Sequence, residues 1–268
     1  MVRKYLNPRS YFRKASDFIA QIRLKMGLPI QLVTKIDEHN ISFFVTSFLE
    51  YRLRARQSYY REKVTMHWLR HVVESGDIVY DVGANVGAYS LYAGYKVSPG
   101  GGQVYAFEPA FLNFFPLSRN IEINGLNTVV IPYPIAIGSP SRVDNFFLSS
   151  TVSGSALHGL SKPESEGTRF DPEFLQGIYV LSLDELVLSV ELQFPNHIKI
   201  DVDGLEADIV KGMRTVLRDI RLRSLMIEIN EDISQGTIED EITASGLVEE
   251  KVERWVGKNT YNKLYLRK

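Results

Sequence analysis

A glycine-containing turn between a predicted strand and a predicted helix constrains the fold more than any other part of the chain. The strand is the apolar stretch Asp77–Tyr80, and the turn that follows it reads DVGANVG at residues 81–87. Glycine is favoured where the backbone φ angle is positive or where a ligand must approach the main chain closely. A helix N-terminus after such a turn leaves backbone N–H groups free beside a ligand. The pattern therefore predicts a ligand site at the end of a buried strand.

The residues around this turn indicate which ligand it binds. A dinucleotide-binding turn reads G-x-G-x-x-G, whereas here three residues separate Gly83 from Gly87 and an acid, Asp81, precedes them. A carboxylate at that position repels a pyrophosphate but attracts an ammonium group. The next predicted strand, 103–107, is followed by Glu108, whose carboxylate can accept hydrogen bonds from two ribose hydroxyls. An amino-acid tail joined to a ribose indicates S-adenosylmethionine; a purely structural glycine turn is the weaker alternative.

Five further motifs follow the glycine turn along the chain. They are VYAFEP at 104–109, AIG at 136–138, LSLDEL at 181–186, KIDVDGLEADIVKGM at 199–213 and IEIN at 227–230. With the glycine turn, this ordered set resembles the FkbM family of S-adenosylmethionine-dependent methyltransferases over about residues 77–230. The resemblance implies an α/β fold of the Rossmann-like class I methyltransferase type, with a mostly parallel seven-stranded sheet and an antiparallel hairpin at one edge. It also implies O-methylation of a hydroxyl on a sugar, glycan, glycolipid or polyketide-type acceptor.

The cofactor-binding residues are expected on the glycine turn, after the second strand and beside the adenine. They are Asp81, Gly83, Ala84, Asn85, Gly87, Glu108, Pro109, Asn113, Ala136 and Glu62. The turn is expected to face the amino-acid tail of S-adenosylmethionine, Glu108 its ribose, and Asn113 and Ala136 its adenosine. Glu62 is included because related methyltransferases often cover the amino-acid end with a segment that precedes the first strand. A favourable charge at a helix N-terminus explains Glu62 equally well.

Asp201, which follows the predicted strand 197–200, is the first candidate for the catalytic base. Ligands of open α/β sheets bind outside the carboxyl ends of the strands, where Asp81, Glu108 and Asp201 converge. Methyl transfer to a hydroxyl requires a positioned acceptor oxygen and a group that removes its proton. His158 is the second candidate, because an imidazole suits base catalysis near neutral pH. It lies in Ser149–Pro172, a long polar loop that we expect to form part of the acceptor pocket or else a surface insertion.

A divalent metal at the same place is a less favoured alternative. Asp201, Glu228 and Asn230 carry oxygen ligands of the type that Mg²⁺ prefers, and some O-methyltransferases chelate their acceptor hydroxyls in this way. We therefore expect no metal, with these three residues as its ligands in the alternative. Lys199 is expected to point to the opposite face of its strand from Asp201, and so not to be its partner.

Composition limits the domain organisation and the compartment. The 268 residues include no cysteine, which excludes disulfides, thiolate metal sites and cysteine nucleophiles. No apolar run is long enough to span a membrane, and no apolar signal segment follows the basic N-terminus, so a cytoplasmic protein is expected. The length suits one large α/β domain with an extension. We divide the chain into a helical, basic N-terminal extension over 1–60 and a methyltransferase domain over 61–268.

The N-terminal extension differs in charge from the rest of the chain. Residues 1–70 hold 14 Lys and Arg against 5 Asp and Glu, although the formal net charge of the whole chain is −1. Apolar residues at helical spacing predict helices over Ser10–Met26 and about Asp37–Arg56. A basic amphipathic helix is expected to dock on the domain or on a second subunit of a homodimer. Peripheral contact with a membrane is the alternative.

Other functions stay open beside methylation of a small-molecule or glycan hydroxyl. The basic extension keeps an RNA or another acceptor class as an alternative. A nucleic-acid partner is not favoured, because DVDG at 201–204 stands where amino-methylating enzymes carry an N-P-P-[FY] motif. A non-catalytic module that only binds S-adenosylmethionine is a further alternative. Loss of Asp81 or Glu108 would favour it, and both acids are present.

Overall fold

The N-terminal segment places a helix and a β-hairpin ahead of the central sheet. A computed structural model describes residues 8–234, 236–255 and 257–268. Helix α1 (Pro8–Lys25) is followed by an antiparallel pair of strands, β1 (Ile30–Ile36) and β2 (His39–Val45). A π-helix (Glu50–Ala55) and helices α2 (Ser58–Arg61) and α3 (Lys63–His71) then lead towards the sheet.

The prediction for the first helix is confirmed and that for the second is wrong. Helix α1 covers most of the expected range Ser10–Met26. The range Asp37–Arg56, expected as one helix, begins instead with β2 and holds a π-helix only near its end. In β2 the buried residues Ile41, Phe43 and Val45 alternate with less buried ones, which is the period of a strand packed on one face.

The first half of the central domain alternates strands with helices. These elements are β3 (Ile78–Val82), α4 (Ala88–Val97), β4 (Gln103–Phe107), α5 (Phe111–Ile123) and β5 (Val130–Tyr133). The strands are short runs of β-branched and aromatic residues, and all three pair in parallel. The side chains of Asn120 and Asn124 on α5 accept hydrogen bonds from the amides of Phe44 and Ser42 in β2. The hairpin is therefore fixed to the domain by its backbone.

An insertion follows β5 and forms a second, smaller sheet. Its strands are β6 (Ala136–Ile137), β7 (Arg142–Leu148), β8 (Gly159–Leu160), β9 (Glu164–Ser165), β10 (Thr168–Arg169) and β11 (Phe174–Leu181). Four of them lie in the order β6-β11-β7-β8, and β9 pairs with β10 alone. The loop expected over Ser149–Pro172 thus contains three short strands. Helix α6 (Leu183–Leu188) comes next, and the Ser182 hydroxyl caps it by accepting a bond from the Glu185 amide.

The remaining elements complete the sheet. They are β12 (His197–Ile200), α7 (Glu206–Lys211), α8 (Arg214–Arg218), β13 (Ser224–Asn230), α9 (Glu231–Ser234), α10 (Thr237–Ala244), β14 (Leu247–Arg254) and β15 (Thr260–Arg267). The seven-stranded sheet has the order β14-β15-β13-β12-β3-β4-β5. Strands β13 to β5 in that order are parallel, and β15 and β14 are antiparallel. The predicted α/β fold of the class I methyltransferase type, with its edge hairpin, is confirmed.

The register of this sheet brings the functional strand ends together. In β3, Asp81 pairs with Lys199 of β12 on one side and with Ala106 of β4 on the other. Because parallel strands end at one edge, the residues after Val82, Phe107 and Ile200 meet there. The glycine turn, Glu108 and Asp201 are these residues.

The N-terminal segment shares its core with the sheet. Buried residues of α1, the hairpin and α3 belong to the same hydrophobic cluster as residues of β3, β4 and α4. The division of the chain at residue 60 stays a prediction. Helix α1 also carries the exposed apolar side chains Phe18, Ile19 and Ile22, and exposed Met26 follows it. Among the helices of the described ranges, none is long and apolar enough to cross a membrane.

Candidate active site

The glycine turn after β3 is held by hydrogen bonds within the chain. The amides of Gly83 and Ala84 both donate to the carbonyl oxygen of Phe107, at 3.0 and 3.1 Å. The amides of the next three residues donate to the side chains of Glu108 and Asn85 and to the Ala84 carbonyl. The amides of the turn itself are therefore all bonded within the chain, and free N–H groups stay a prediction for the N-terminus of α4.

Both glycines of the turn are required by neighbouring parts of the chain. Gly83 has a φ of +81°, and a Cβ there would lie 2.0 Å from the carbonyl oxygen of Asp201. Gly87 has a φ of +89°, and a Cβ there would lie 2.6 Å from a methyl group of Leu117. Any side chain would meet both backbone strain and a steric clash. Gly83 thus lets the ends of β3 and β12 touch, which places Asp201 beside the turn, and Gly87 lets the turn pack on α5.

Glu108 joins the glycine turn to the start of α5. It is 5% exposed, and its carboxylate accepts hydrogen bonds from the amides of Asn85 at 2.7 Å and Ala110 at 2.9 Å. Burial raises the pKa of Glu108 to about 7, although these hydrogen bonds favour the ionised form. The side-chain amide of Asn113 also donates to Glu108, at 3.5 Å. A carboxylate offers about four lone-pair directions, so one remains free and a second is taken only by this long bond. A pair of ribose hydroxyls can donate at these two positions.

A cavity opens beside Glu108 at the carboxyl ends of β3, β4 and β12. The expected residues that line it are Gly83, Asn85, Glu108, Pro109, Asn113, Ala136, His158 and Asp201. Ile137 and Phe146 extend its apolar part next to Ala136. An apolar slot with a carboxylate at one side suits a nucleoside, whose base is flat and whose ribose is polar. Four expected residues, Asp81, Ala84, Gly87 and Glu62, do not line this cavity.

The Ser149–Pro172 segment covers the cavity through bonds to expected cofactor residues. Asn85 and Asn113 donate through their side-chain amides to the carbonyl oxygen of Ser155, at 2.9 and 3.1 Å. Asn113 also accepts a bond from the amide of Gly154 at 2.8 Å. Its buried side chain therefore supports the wall of the cavity. Arg54 of the π-helix donates to the Gly154 carbonyl at 3.0 Å and lines the same cavity.

His158 faces the cavity from this segment as a neutral imidazole. The residue is buried, and its Nδ1 accepts from the amide of Ser149 at 3.2 Å. Its Nε2 has no hydrogen-bond partner within the described part of the chain. Burial lowers the pKa of His158 to about 4, and the positive charge of Arg54 lowers it as well. An imidazole with so low a pKa is neutral at pH 7 and lacks the near-neutral basicity that made His158 a candidate base.

Lys199 pairs with both Asp201 and Asp81. Its ammonium nitrogen lies 3.0 Å from Asp201 Oδ2 and 3.5 Å from Asp81 Oδ1. The expectation that Lys199 faces away from Asp201 is wrong, because residues two apart in a strand share a face. Burial opposes its charge, but Asp201 and Asp81 together raise the pKa of Lys199. Ser90 donates to the other oxygen of Asp81 at 2.5 Å, so both aspartates are held in fixed orientations.

Three further carboxylic acids surround this lysine–aspartate group. Burial and the negative charge of Asp201 raise the pKa of both Glu62 and Glu228. Burial also raises the pKa of Asp203 to about 6, and the amide of Leu157 donates to its carboxylate at 2.6 Å. Crowded acids with raised pKa values favour the binding of a cation, which restores their ionised forms. A sulfonium or an ammonium group is such a cation.

Two residues of the metal alternative, Glu228 and Asn230, make hydrogen bonds within the protein. Glu228 accepts a hydrogen bond from the indole nitrogen of Trp255 at 2.7 Å, and Asn230 accepts one from the amide of Asp232 at 3.1 Å. In residues 8–234, 236–255 and 257–268, no group of three or more His, Cys, Asp or Glu side chains is arranged to hold a metal ion. One oxygen atom of Glu228 and the side-chain oxygen of Asn230 thus each accept a bond from a protein donor.

Sequence reasoning missed several residues of this site. The sequence could have indicated Lys199, since it lies two residues before Asp201 and residues at that spacing share one face of a strand. It could also have indicated Phe146, because β7 alternates and an aromatic residue on its inner face reaches the cavity. Asp203 was not among the expected site residues. Arg54 had no signal, since it lies far ahead of the glycine turn and belongs to no motif.

Comparison with known proteins gives relatives with methyltransferase names. Hexuronic acid methyltransferase AglP from Haloferax volcanii is 29% identical over 232 residues, which are 83% of this chain and 88% of AglP. The 31-O-demethyl-FK506 methyltransferase FkbM from Streptomyces tacrolimicus is 46% identical over 67 residues, or 24% of this chain and 25% of that protein.

Solved structures and a family match complete the comparison. The methyltransferase FkbM from Methylobacillus flagellatus superimposes with a TM-score of 0.49 at 18% identity, over 71% of this chain and 43% of that chain. TrmK from M. capricolum, solved with S-adenosylhomocysteine, superimposes with a TM-score of 0.46 at 8% identity, over 77% of this chain and 68% of that chain. The methyltransferase FkbM domain matches residues 81–255, from the glycine turn to Trp255. That match spans more than half of the chain, which therefore belongs to the FkbM family of S-adenosylmethionine-dependent methyltransferases.

Proposed function

We propose that this methyltransferase modifies an oxygen atom, and that its acceptor is a hydroxyl group of a sugar or glycan. The observation that carries the proposal is that Glu108 and Asp201, with its partner Lys199, lie at one edge of the sheet. S-adenosylmethionine supplies an electrophilic methyl group when it is bound there. The sugar acceptor is supported by the similarity to AglP, whose name states a hexuronic acid as its substrate.

The proposed cofactor contacts divide along the cavity. Glu108 accepts hydrogen bonds from the ribose hydroxyls on the side of its carboxylate that the two backbone amides leave open, and Ala136 and Phe146 pack against the adenine. The amino-acid tail lies towards the glycine turn, where Glu62 and Asp81 supply negative charge for its ammonium group. This orientation is supported by the raised pKa of Glu62, since a cation relieves the cost of ionising a buried acid.

Asp201 is the proposed catalytic base. Its side chain is 32% exposed and lines the cavity, so an acceptor hydroxyl can reach it, whereas Asp81 is buried. Asp201 accepts the proton that the hydroxyl loses when the oxygen takes the methyl group. Lys199 fixes the orientation of the Asp201 carboxylate through the contact at 3.0 Å and acts as a positioning residue. We propose that no metal takes part, since the Glu228 carboxylate is bonded to Trp255.

The partners of the N-terminal helix are also proposals. Ala20 and Leu24 of α1 are buried against the rest of the chain, but Phe18, Ile19 and Met26 stay exposed. An exposed apolar face on a basic helix needs a cover. We propose a second subunit of a homodimer as this cover, with a membrane surface as the alternative, and a cytoplasmic location for the protein.

Removal of the Glu108 carboxylate should weaken cofactor binding. We expect Glu108→Ala to raise the dissociation constant of S-adenosylmethionine by roughly ten- to a hundredfold, because a charge-assisted hydrogen bond contributes about 1.5–3 kcal/mol. Wild-type affinity should also rise from pH 6 to pH 8, since a carboxyl with a pKa of about 7 loses its proton there and gains acceptor capacity. Titration calorimetry measures both effects.

Two variants make this measurement specific. Glu108→Gln keeps the size of the side chain and should remove the part of the pH dependence that Glu108 contributes. Glu122→Ala changes an exposed acid of α5, the helix that follows Glu108, and should bind the cofactor like the wild type. Unchanged affinity in Glu108→Ala would show that the ribose does not contact this residue.

Labelling of cell extracts tests the proposed function directly. Extracts are incubated with the protein and methyl-radiolabelled S-adenosylmethionine, and the labelled product is identified by mass spectrometry. We expect label in a glycan or a lipid-linked sugar, and equal labelling in the presence of EDTA. Label confined to RNA would overturn the proposed acceptor. Activity that EDTA abolishes and Mg²⁺ restores would instead make Asp201 a metal ligand.

A further inference from the structure

A surface cleft lies at the same sheet edge as the candidate active site. Strand β15 runs antiparallel to β13, and its first residue, Thr260, pairs with Asn230 at the end of β13. The turn between β14 and β15 therefore stands at the carboxyl end of β13, next to Asp201 of β12. Trp255 belongs to this turn.

The junction of α2 and α3 forms the other wall of the cleft. The guanidinium of Arg61 lies 5.1 Å from the centroid of the Trp255 ring, and the amide of Val64 donates to Glu253 at 3.1 Å. These contacts join residues ahead of the central sheet to its last hairpin. The residues that line the cleft between them are Arg61, Lys63, Glu253, Arg254, Trp255 and Asn262, and we call it the Trp255 cleft.

One hydrogen bond and one neighbour in the sequence connect the Trp255 cleft to the acids around Lys199. The indole nitrogen of Trp255 donates to Glu228 at 2.7 Å, and the negative charge of Asp201 helps to raise the pKa of Glu228. Glu62, between Arg61 and Lys63 in the sequence, also lies within the field of Asp201 and of Lys199. The chain thus points one acid inwards to the reacting groups and leaves the two flanking cations exposed in the cleft.

The charge of the Trp255 cleft is positive and unpaired. It holds three cations, Arg61, Lys63 and Arg254, against one acid, Glu253, which already accepts the bond from Val64. Within the described ranges none of the three cations lies within 4 Å of a carboxylate; Arg254 instead donates to the Lys258 carbonyl at 3.1 Å. Exposed cations around a partly exposed tryptophan, beside a group of acids, form an asymmetric surface: negative inside and positive at the rim.

We propose that the Trp255 cleft binds an acidic sugar residue of the acceptor, with its carboxylate at Arg61 and Lys63 and its ring against Trp255. The inference rests on the proposed function, since it names the acceptor of that site. The inner acids repel the carboxylate and the outer cations attract it, so the sugar enters with a hydroxyl towards Asp201. Arg61 is suited to a carboxylate because its planar fork can donate two parallel hydrogen bonds.

Sugar binding without methyl transfer tests the inference. Methyl β-D-glucuronide and methyl β-D-glucoside, which differ by a carboxylate, are titrated into the full chain with S-adenosylhomocysteine and followed by ligand-observed NMR at low salt. We expect the wild type to bind the glucuronide at least about tenfold more tightly, because a charge-assisted contact is gained. The double variant Arg61→Gln, Lys63→Gln should bind both sugars about equally. Arg218→Gln, an exposed cation on α8, should behave like the wild type.

Each contrary result has a separate meaning. Equal binding of both sugars by the wild type, or an unchanged preference in the double variant, would overturn the inference. Tighter binding of glucose 1-phosphate than of the glucuronide would overturn the carboxylate assignment. The double variant should keep the wild-type affinity for S-adenosylhomocysteine, which shows that it is folded. Methyl transfer to neutral glycans without a preference for glucuronide would sink this inference and leave the proposed function standing.

Discussion

The Asp201→Asn enzyme is expected to turn over about 10²–10⁴ times more slowly than the wild type, which is the usual contribution of a general base. Asparagine keeps the shape of the side chain but cannot accept the hydroxyl proton. The Lys199 ammonium would then face an amide oxygen in place of a carboxylate at 3.0 Å, so the local packing is preserved. Steady-state kinetics on the labelled acceptor measures the loss.

Cofactor affinity separates this role from a structural one. Asp201→Asn should bind S-adenosylhomocysteine within about threefold of the wild type, since the assigned ribose contact belongs to Glu108. His158→Gln is the matched comparison, because His158 lines the same cavity as a weak base. Full activity in Asp201→Asn together with a large loss in His158→Gln would transfer the role to the imidazole.

Lys199→Met should destabilise the folded protein by about 3–5 kcal/mol, the usual cost of leaving a buried charge without its partner. Methionine has a similar length but no charge, so Asp81 would keep only the hydrogen bond from Ser90. Asp81 and Lys199 are both buried, and water therefore screens their interaction little. The free energy of unfolding is measured by urea denaturation at pH 7.

A second substitution tests this cause. Asp81→Asn in the Lys199→Met background removes the unpaired charge, keeps an acceptor for Ser90, and should restore about 1–3 kcal/mol. Lys211→Met removes an exposed lysine that pairs with Asp208 at 3.2 Å, and should cost less than about 1 kcal/mol. Equal stability of Lys199→Met and the wild type, or no recovery in the double variant, would contradict the buried pair.

The central sheet could be predicted because each of its strands carries a local signal. All four residues of His197–Ile200 are buried, and the run ends at an acid where the sheet ends. The antiparallel hairpin at the edge and the arrangement of the sheet were expected from the resemblance to the FkbM family. The cofactor end of the site follows from that arrangement.

The N-terminal hairpin could not be predicted, because the decisive contacts are distant in the sequence. Ile41, Phe44, Val45 and Phe48 fit a helical period as well as a strand. What selects the strand is pairing with β1 and the bonds from Phe44 and Ser42 to side chains of α5, about eighty residues away. Local propensity carries no information on such partners.

The cover of the cavity was likewise hidden from sequence reasoning. The Ser149–Pro172 segment reads as a polar loop, yet Asn85, Asn113 and Asp203 bind its backbone. Each of these three side chains could equally have faced a ligand or a helix end. Only the folded arrangement shows that they hold the segment over the nucleoside cavity, together with Arg54.

The identity of the atom that receives the methyl group is the most direct test of the account. The protein is incubated with S-adenosylmethionine carrying a ¹³C-labelled methyl group and with the purified acceptor, and the product is examined by two-dimensional NMR. The account predicts a labelled methyl group that correlates through oxygen with a ring carbon of a sugar, as in a methyl ether. A labelled methyl group on nitrogen, on carbon or on a carboxylate would contradict it.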